Sequence, residues 1–258
     1  MPRFAANLSM LFTEAPFLER FALAARAGFK GVEFLFPYDH PREQVKEALD
    51  DAGVRLVLHN MPPGDWAAGE RGLACLPGRD SEFRGGVARA LEYATHLGLA
   101  QLHCMAGIAP RDVPAATLRD TYISNLRHAC AEAGKAGLRV LIEPINTRDI
   151  PGYFLNRSAQ AIEIMDAVGA SNLFLQYDIY HMQIMEGDLA PTMERLLPRI
   201  GHMQLADTPG RHEPGSGEIN YPFLFRHLDR IGYGGWIGCE YRPATTTEAG
   251  LGWMAPYL

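Results

Sequence analysis

Four polar side chains interrupt otherwise apolar runs at corresponding places in the chain. They are Glu143 in Val140-Leu141-Ile142-Glu143-Pro144-Ile145-Asn146, Asp178 in Leu175-Gln176-Tyr177-Asp178-Ile179-Tyr180-His181, Gln204 in His202-Met203-Gln204-Leu205-Ala206-Asp207, and Glu240 in Gly238-Cys239-Glu240-Tyr241. Three carboxylates gathered at one point would repel one another and resist ionising. A hard divalent cation removes that conflict, and an all-oxygen set of two Glu, one Asp and one amide suits Mg2+ or Mn2+ better than zinc. Taken singly, each residue has a duller explanation. A Glu in a strand pairs with Lys or Arg because buried charges need partners, Gln204 is a satisfied core amide, and Asp178 caps the helix after it. The chemistry rests on the coincidence of all four.

The elements that must position them repeat from end to end. Short apolar runs occur at Phe4–Asn7, Gly31–Phe36, Arg55–Asn60, Gln101–Gly107, Arg139–Asn146, Leu173–Tyr180, Ile200–Asp207 and Trp236–Tyr241. They read as strands buried on both faces. Helical stripes lie between them, as in Phe17, Phe21, Ala24 and Ala25, or Val45, Ala48 and Leu49. Several of these stretches end at a glycine just before the next strand, including Gly28, Gly53, Gly98 and Gly137, as left-handed helix ends do. About eight strand–helix units with no Pro/Ser-rich linker predict an α/β fold, a single (β/α)8 barrel spanning residues 1–258 as one catalytic domain. In such a barrel the strands converge at their C-terminal ends, so four polar residues from four successive strands can meet.

Bulk properties set outer limits. The chain has 258 residues and a formal net charge of −6, which argues against a broad nucleic-acid surface. Cys75, Cys104, Cys130 and Cys239 form no C-x-x-C pair and read as reduced buried thiols. Neither a signal-peptide core nor a membrane-length apolar run is present, so a cytoplasmic location is expected with no membrane partner. Pairing of outer helices into a homo-oligomer is open, since no patch can be assigned to it.

Two strand-to-helix connections are long and rich in Gly and Pro. Met61–Asp80 carries Trp66, Glu70 and Arg71, and Thr208–Asn220 carries Arg211 and Glu213. Loops at this end of a barrel form the rim of a site. Arg71 and Arg211 are candidates to grip an anionic substrate two-pronged, against the alternative of solvated surface arginines. His181, three residues after Asp178, can reach a substrate oxygen. His59 ends the third strand and either contacts substrate or orients the loop. Trp66 closes over a ligand or anchors its loop, with Glu70 beside it as a further contact. Glu33, in the second strand, supports the site from behind or pairs with a cation.

The longer runs identify the chain as similar to a known family. It resembles the hydroxypyruvate isomerase family, within the xylose-isomerase-like barrels that also include ketose 3-epimerases and endonuclease IV. The resemblance is carried by Phe4-Ala5-Ala6-Asn7-Leu8-Ser9-Met10-Leu11-Phe12, the stretch from His59-Asn60-Met61 to Glu70-Arg71-Gly72, and Ile142-Glu143-Pro144-Ile145-Asn146. Further matches are Gln176-Tyr177-Asp178-Ile179-Tyr180-His181-Met182-Gln183, Glu213-Pro214-Gly215-Ser216-Gly217-Glu218-Ile219-Asn220-Tyr221 and Gly238-Cys239-Glu240-Tyr241. It implies that Glu143, Asp178, Gln204 and Glu240 bind the metal and that Glu143 and Glu240 are the acid–base pair. The substrate it implies is a small hydroxy-keto acid, hydroxypyruvate, isomerised to tartronate semialdehyde through an enediolate. In the sugar epimerases the seventh-strand ligand looks like histidine; here it is Gln204, which weakens a zinc or cobalt reading. Competing readings are a 2-oxo-tetronate isomerase with identical ligands, a ketose 3-epimerase, a non-catalytic ligand-binding barrel and an endonuclease IV-like nuclease.

Overall fold

The structure is a computed structural model that describes residues 1–257. The eight strands follow sequence order in a closed parallel barrel, with β8 pairing back onto β1. They are β1 (Arg3–Asn7), β2 (Gly31–Phe34), β3 (Arg55–Asn60), β4 (Gln101–His103), β5 (Arg139–Ile142), β6 (Leu173–Asp178), β7 (Ile200–Leu205) and β8 (Trp236–Cys239). Helices alternate with them: α1 (Arg20–Arg26), α2 (Arg42–Ala52), α3 (Asp80–His96), α4 (Ala115–Lys135), α5 (Ser158–Val168), α6 (Ile179–Met185), α7 (Leu189–Leu196) and α8 (Tyr221–Ile231).

Several strands stop short of the apolar runs that announce them. β5 ends at Ile142, one residue before Glu143, and β8 ends at Cys239, one residue before Glu240. After β5, Pro144 has no N–H for a ladder. Glu143 therefore follows its strand directly, and Glu240 follows β8 with its N–H still bonded to Leu205 O of β7.

The chain forms two compact units. The terminal unit comprises Met1–Val57 and Tyr177–Leu258. In it β1 pairs with β2 and β8, and β7 with β8, which puts Asn7 level with Glu33 and Gln204 level with Gly238. Phe225 of α8 packs edge-on to Phe4 of β1 with centroids 5.2 Å apart, and Trp253 and Tyr257 close around the pair. Phe4 and Phe225 are buried, and each contributes roughly 2–3 kcal/mol of apolar burial. α2 buries Val45 and Leu49 and ends at Gly53, whose φ of 62° returns its N–H to Asp50 O. A side chain there would be strained in that left-handed conformation.

The central unit is Leu58–Gln176. β3–β4, β4–β5 and β5–β6 pair within it. The Asn172 amide donates to Cys130 O and Leu138 O at 2.9 and 3.0 Å, tying the end of α4 to the start of β5. All four cysteines are free and buried. No helix among the described residues is long and apolar enough to cross a membrane.

Candidate active site

Asp178 is the last residue of β6 and the N-cap of α6, so its side chain meets the first amides of that helix. Oδ1 accepts from Tyr180 N at 2.8 Å. Oδ2 is buried without a hydrogen-bond partner among the described residues, and His181 Nε2 lies 3.5 Å from it. Capping and ligation are thus compatible: one oxygen serves each. Burial pushes the Asp178 carboxyl up to about 6, against the pull of the Arg211 guanidinium.

Glu240 follows β8 and anchors its backbone by donating to Leu205 O at 3.1 Å. Its Oε2 accepts from Arg211 Nη2 at 3.2 Å. Burial pushes this carboxyl up to about 8, Arg211 opposes that, and the neighbouring Asp178 and Glu33 charges reinforce it. Asp178, His181 and Glu240, all buried, offer ligand atoms within 4.8 Å of one another. One arginine beside this much buried acid leaves negative charge uncompensated, and these three side chains could hold a metal ion.

Gln204, next to last in β7, directs its amide nitrogen to Glu33 Oε1 at 2.8 Å. The carbonyl oxygen, the atom a cation would use, is on the opposite branch of the planar amide. Glu33 also receives Asn7 Nδ2 at 3.0 Å and His202 Nε2 at 2.7 Å. Two readings stand open for Glu33, support from behind the site or pairing with a cation; these three partners are an imidazole and two amides.

Arg211 lies on the loop between β7 and α8. That loop is organised by the buried Asp207, whose oxygens accept from Thr208 N, Gly215 N and Ile219 N at 2.9, 2.9 and 3.0 Å. Arg211 has a φ of 56°, and its guanidinium lies 5.1 Å from the Tyr180 ring centroid as well as against Glu240.

In the central unit, Glu143 is buried, with Oε2 accepting from Gln176 Nε2 at 3.1 Å and His103 Nε2 lying 3.6 Å away. His59 is fully enclosed; its Nδ1 meets Asn60 O at 3.0 Å, and burial pushes the imidazole down to about 4. The loop between β3 and α3 is folded on itself. Arg71 Nη1 donates to Glu70 O and Trp66 O at 2.7 and 3.1 Å, and its guanidinium stacks 3.7 Å from the centroid of the exposed Trp66 ring. Glu70 pairs with Arg79 at 2.6 Å, which holds its carboxyl below the usual range.

Sequence reasoning gave no role to Asn7, Gln176, Asp207 or Gly238. The available signal was polarity inside buried strands, which Asn7 and Gln176 share with Glu33.

A family model described as "Xylose isomerase-like TIM barrel" matches residues 21–257. The chain belongs to the xylose isomerase-like TIM barrel family. Within that family, it is 57% identical to a 2-oxo-tetronate isomerase of Cupriavidus necator, over 100% of this chain and 99% of the relative. It is 53% identical to the hydroxypyruvate isomerase of Escherichia coli, over 100% of both. A crystal structure from Brucella melitensis described as an AP endonuclease, family 2, superposes with a TM-score of 0.97 at 50% identity, covering 100% of this chain and 99% of that one. A 3-keto-D-glucoside 4-epimerase from E. coli shares the barrel at a TM-score of 0.80 and 23% identity, covering 99% of each chain. At that distance the likeness is one of fold alone.

Proposed function

We propose that this chain is an isomerase of a small hydroxy-keto acid, converting hydroxypyruvate to tartronate semialdehyde. The observation that carries the reading is the buried cluster of Asp178, His181 and Glu240, whose ligand atoms lie within 4.8 Å of one another, with the Arg211 guanidinium on Glu240. A carboxyl in such a cluster can take a proton from, or return one to, a substrate bound beside it. The full-length relatives at 57% and 53% identity bear isomerase names, which narrows proton transfer to that reaction class.

The donor set fits a divalent cation, because Asp178 Oδ2 is buried without a hydrogen bond and Glu240 and His181 face the same point. We assign Glu143, Asp178, Gln204 and Glu240 as its ligands, with His181 as a nearby nitrogen donor or substrate contact. The mainly oxygen set favours Mg2+ or Mn2+. Bound there, the ion would supply Lewis acidity toward the substrate's carbonyl and adjacent hydroxyl oxygens.

The chain's own groups move the protons. One of Glu143 and Glu240 accepts the C3 proton on a carboxylate oxygen, and the other delivers a proton to C2. The hydroxyl proton passes from the C3 oxygen to the C2 oxygen, so C3 becomes the aldehyde and C2 the secondary alcohol. Arg211, which lies on Glu240, would hold the substrate carboxylate in a charge-assisted pair. Arg71, Trp66 and Glu70 supply the rim on their own loop, with His59 buried near the end of the strand that leads into it. Nucleic-acid chemistry, which the name of the Brucella protein implies for that protein, calls for clustered cations, and the net charge here is −6.

A second reading, 2-oxo-tetronate as substrate, is favoured by the 57% relative. One added carbon is worth only ~1–3 kcal/mol in a pocket, so it needs direct comparison. Proton NMR in deuterium oxide with Mg2+ or Mn2+ present makes that comparison among hydroxypyruvate, 2-oxo-tetronate and a ketose. Enzyme-dependent washout at C2 or C3 of an acid supports the proposal; turnover of the ketose alone, or of nothing, sinks it. Glu143→Gln and Glu240→Gln are each expected to lower the rate by ~10²–10⁴-fold while keeping the native near-ultraviolet dichroism. Near-normal rates in both variants would remove the acid–base pair.

A further inference from the structure

Glu33 contributes one carboxylate to β2, and nothing in the proposed chemistry uses it. It is 1% exposed, yet three donors converge on it. Oε1 takes Asn7 Nδ2 at 3.0 Å and Gln204 Nε2 at 2.8 Å; Oε2 takes His202 Nε2 at 2.7 Å. These donors come from β1 and β7, so the side chain crosses from β2 beneath its neighbours. The eighth strand makes room for it. A Cβ on Gly238 would overlap the Glu33 carboxylate, and Gly238 stands level with Gln204 in the β7–β8 register. A residue without a side chain at that point, one step before Cys239 and two before Glu240, is what lets the carboxylate reach the Gln204 amide.

An ionised carboxylate only accepts hydrogen bonds. Its contact with Gln204 therefore fixes which end of that amide is which: the nitrogen must face Glu33 and the oxygen must face the other way. An unrestrained glutamine amide presents either end at similar cost. We infer that Glu33, seated over Gly238 and held by Asn7 and His202, is a positioning residue that locks the Gln204 carbonyl oxygen as a cation ligand. The arrangement lets a neutral amide stand on the seventh strand without rotating its donor end toward the ion. Partners of this kind typically set metal affinity by ~10–100-fold.

The inference rests on the reading of Gln204 as a ligand, so the experiment separates the two. Mn2+ binding to metal-stripped protein is measured by titration calorimetry on the wild type first. No Mn2+ binding by the wild type ends the ligand reading and the inference with it. Given wild-type binding, Glu33→Gln is expected to bind Mn2+ ~10–100-fold more weakly. Wild-type affinity in that variant refutes the positioning role while leaving the ligand reading intact. The exchanged pair Glu33→Gln with Gln204→Glu restores a donor facing an acceptor with the roles reversed. It is expected to bind within about tenfold of wild type, and more tightly than either single variant. A role in folding alone predicts no such recovery. If Glu33→Gln does not fold, the pair is read against Gln204→Glu alone: tighter binding by the pair supports the inference. Equal or tighter binding by Gln204→Glu shows that added charge accounts for the effect, and overturns it.

Discussion

The two long rim loops use their charges in opposite ways. In the β3–α3 loop the cations are spent internally: Arg71 caps two carbonyls of its own turn and lies on Trp66, while Arg79 pairs with Glu70. In the β7–α8 loop the internal work is done by an anion. Asp207 collects three backbone N–H groups, and this frees Arg211 to extend onto Glu240. Both stretches look alike in composition. The difference lies in whether a buried acid or a surface arginine satisfies the backbone, and a loop that satisfies itself with an anion can present its cation to the site.

That comparison breaks most readily at Asp207. Replacing it with Ala leaves buried N–H groups without an acceptor, expected to cost ~2–4 kcal/mol; urea denaturation of the metal-free protein measures this. A loss under about 0.5 kcal/mol, which is within ordinary surface variation, would mean that the loop does not depend on its acid. Arg211→Ala follows, with an expected fall in kcat/KM of about 30–150-fold, the worth of one charged hydrogen bond at ~2–3 kcal/mol. Arg211→Gly sharpens the point, because glycine accepts the φ of 56° that alanine does not. Arg211→Gly should be the more stable variant by up to ~1 kcal/mol and equally impaired in turnover. Recovered activity in the glycine variant would show that loop strain, rather than the guanidinium, limits the reaction.

The barrel itself was legible because its signals are local and repeated: apolar runs at regular intervals and glycine helix ends such as Gly53 and Gly137. Strand ends were less so. The apolar runs through Glu143 and Glu240 continue past the ladder, since side chains facing inward at a strand end are as buried as those within it. For the site, Asp178 and Glu240 were recognisable from their placement at the ends of apolar strands, and His181, read as a substrate contact, from its spacing after Asp178; the structure gathers the three. The partners of Glu33 were hidden, because Asn7, His202 and Gln204 are far apart in sequence and each alone is an ordinary buried polar group. Gly238 carried no signal either; its meaning is the space it leaves for a residue on another strand. Likewise, composition could not tell Arg71 from Arg211. Their difference arises from backbone hydrogen bonds that form only once each loop is folded.

The self-contained loop yields the smaller effects. Arg71→Ala removes bonds to two carbonyls and the stacking on Trp66, contacts worth ~1 kcal/mol at an exposed position. Its effect on kcat/KM is expected to stay below about tenfold. A loss as large as that of Arg211→Ala would make both loops substrate clamps and dissolve the contrast. The smallest effect belongs to Glu70, whose carboxyl is held low chiefly by its hydrogen bond to Arg79. A carboxylate lowered in the folded state stabilises above its unfolded pKa and loses that contribution as pH falls through the folded value. Glu70→Gln should therefore cost about 0.5–1 kcal/mol at pH 7, the range of a partly exposed ion pair. The difference from wild type should shrink as pH falls below about 4.3, and raised salt should diminish it at neutral pH. A difference that persisted unchanged at pH 3 would show that Glu70 holds the loop by shape and neutral hydrogen bonds rather than by its charge.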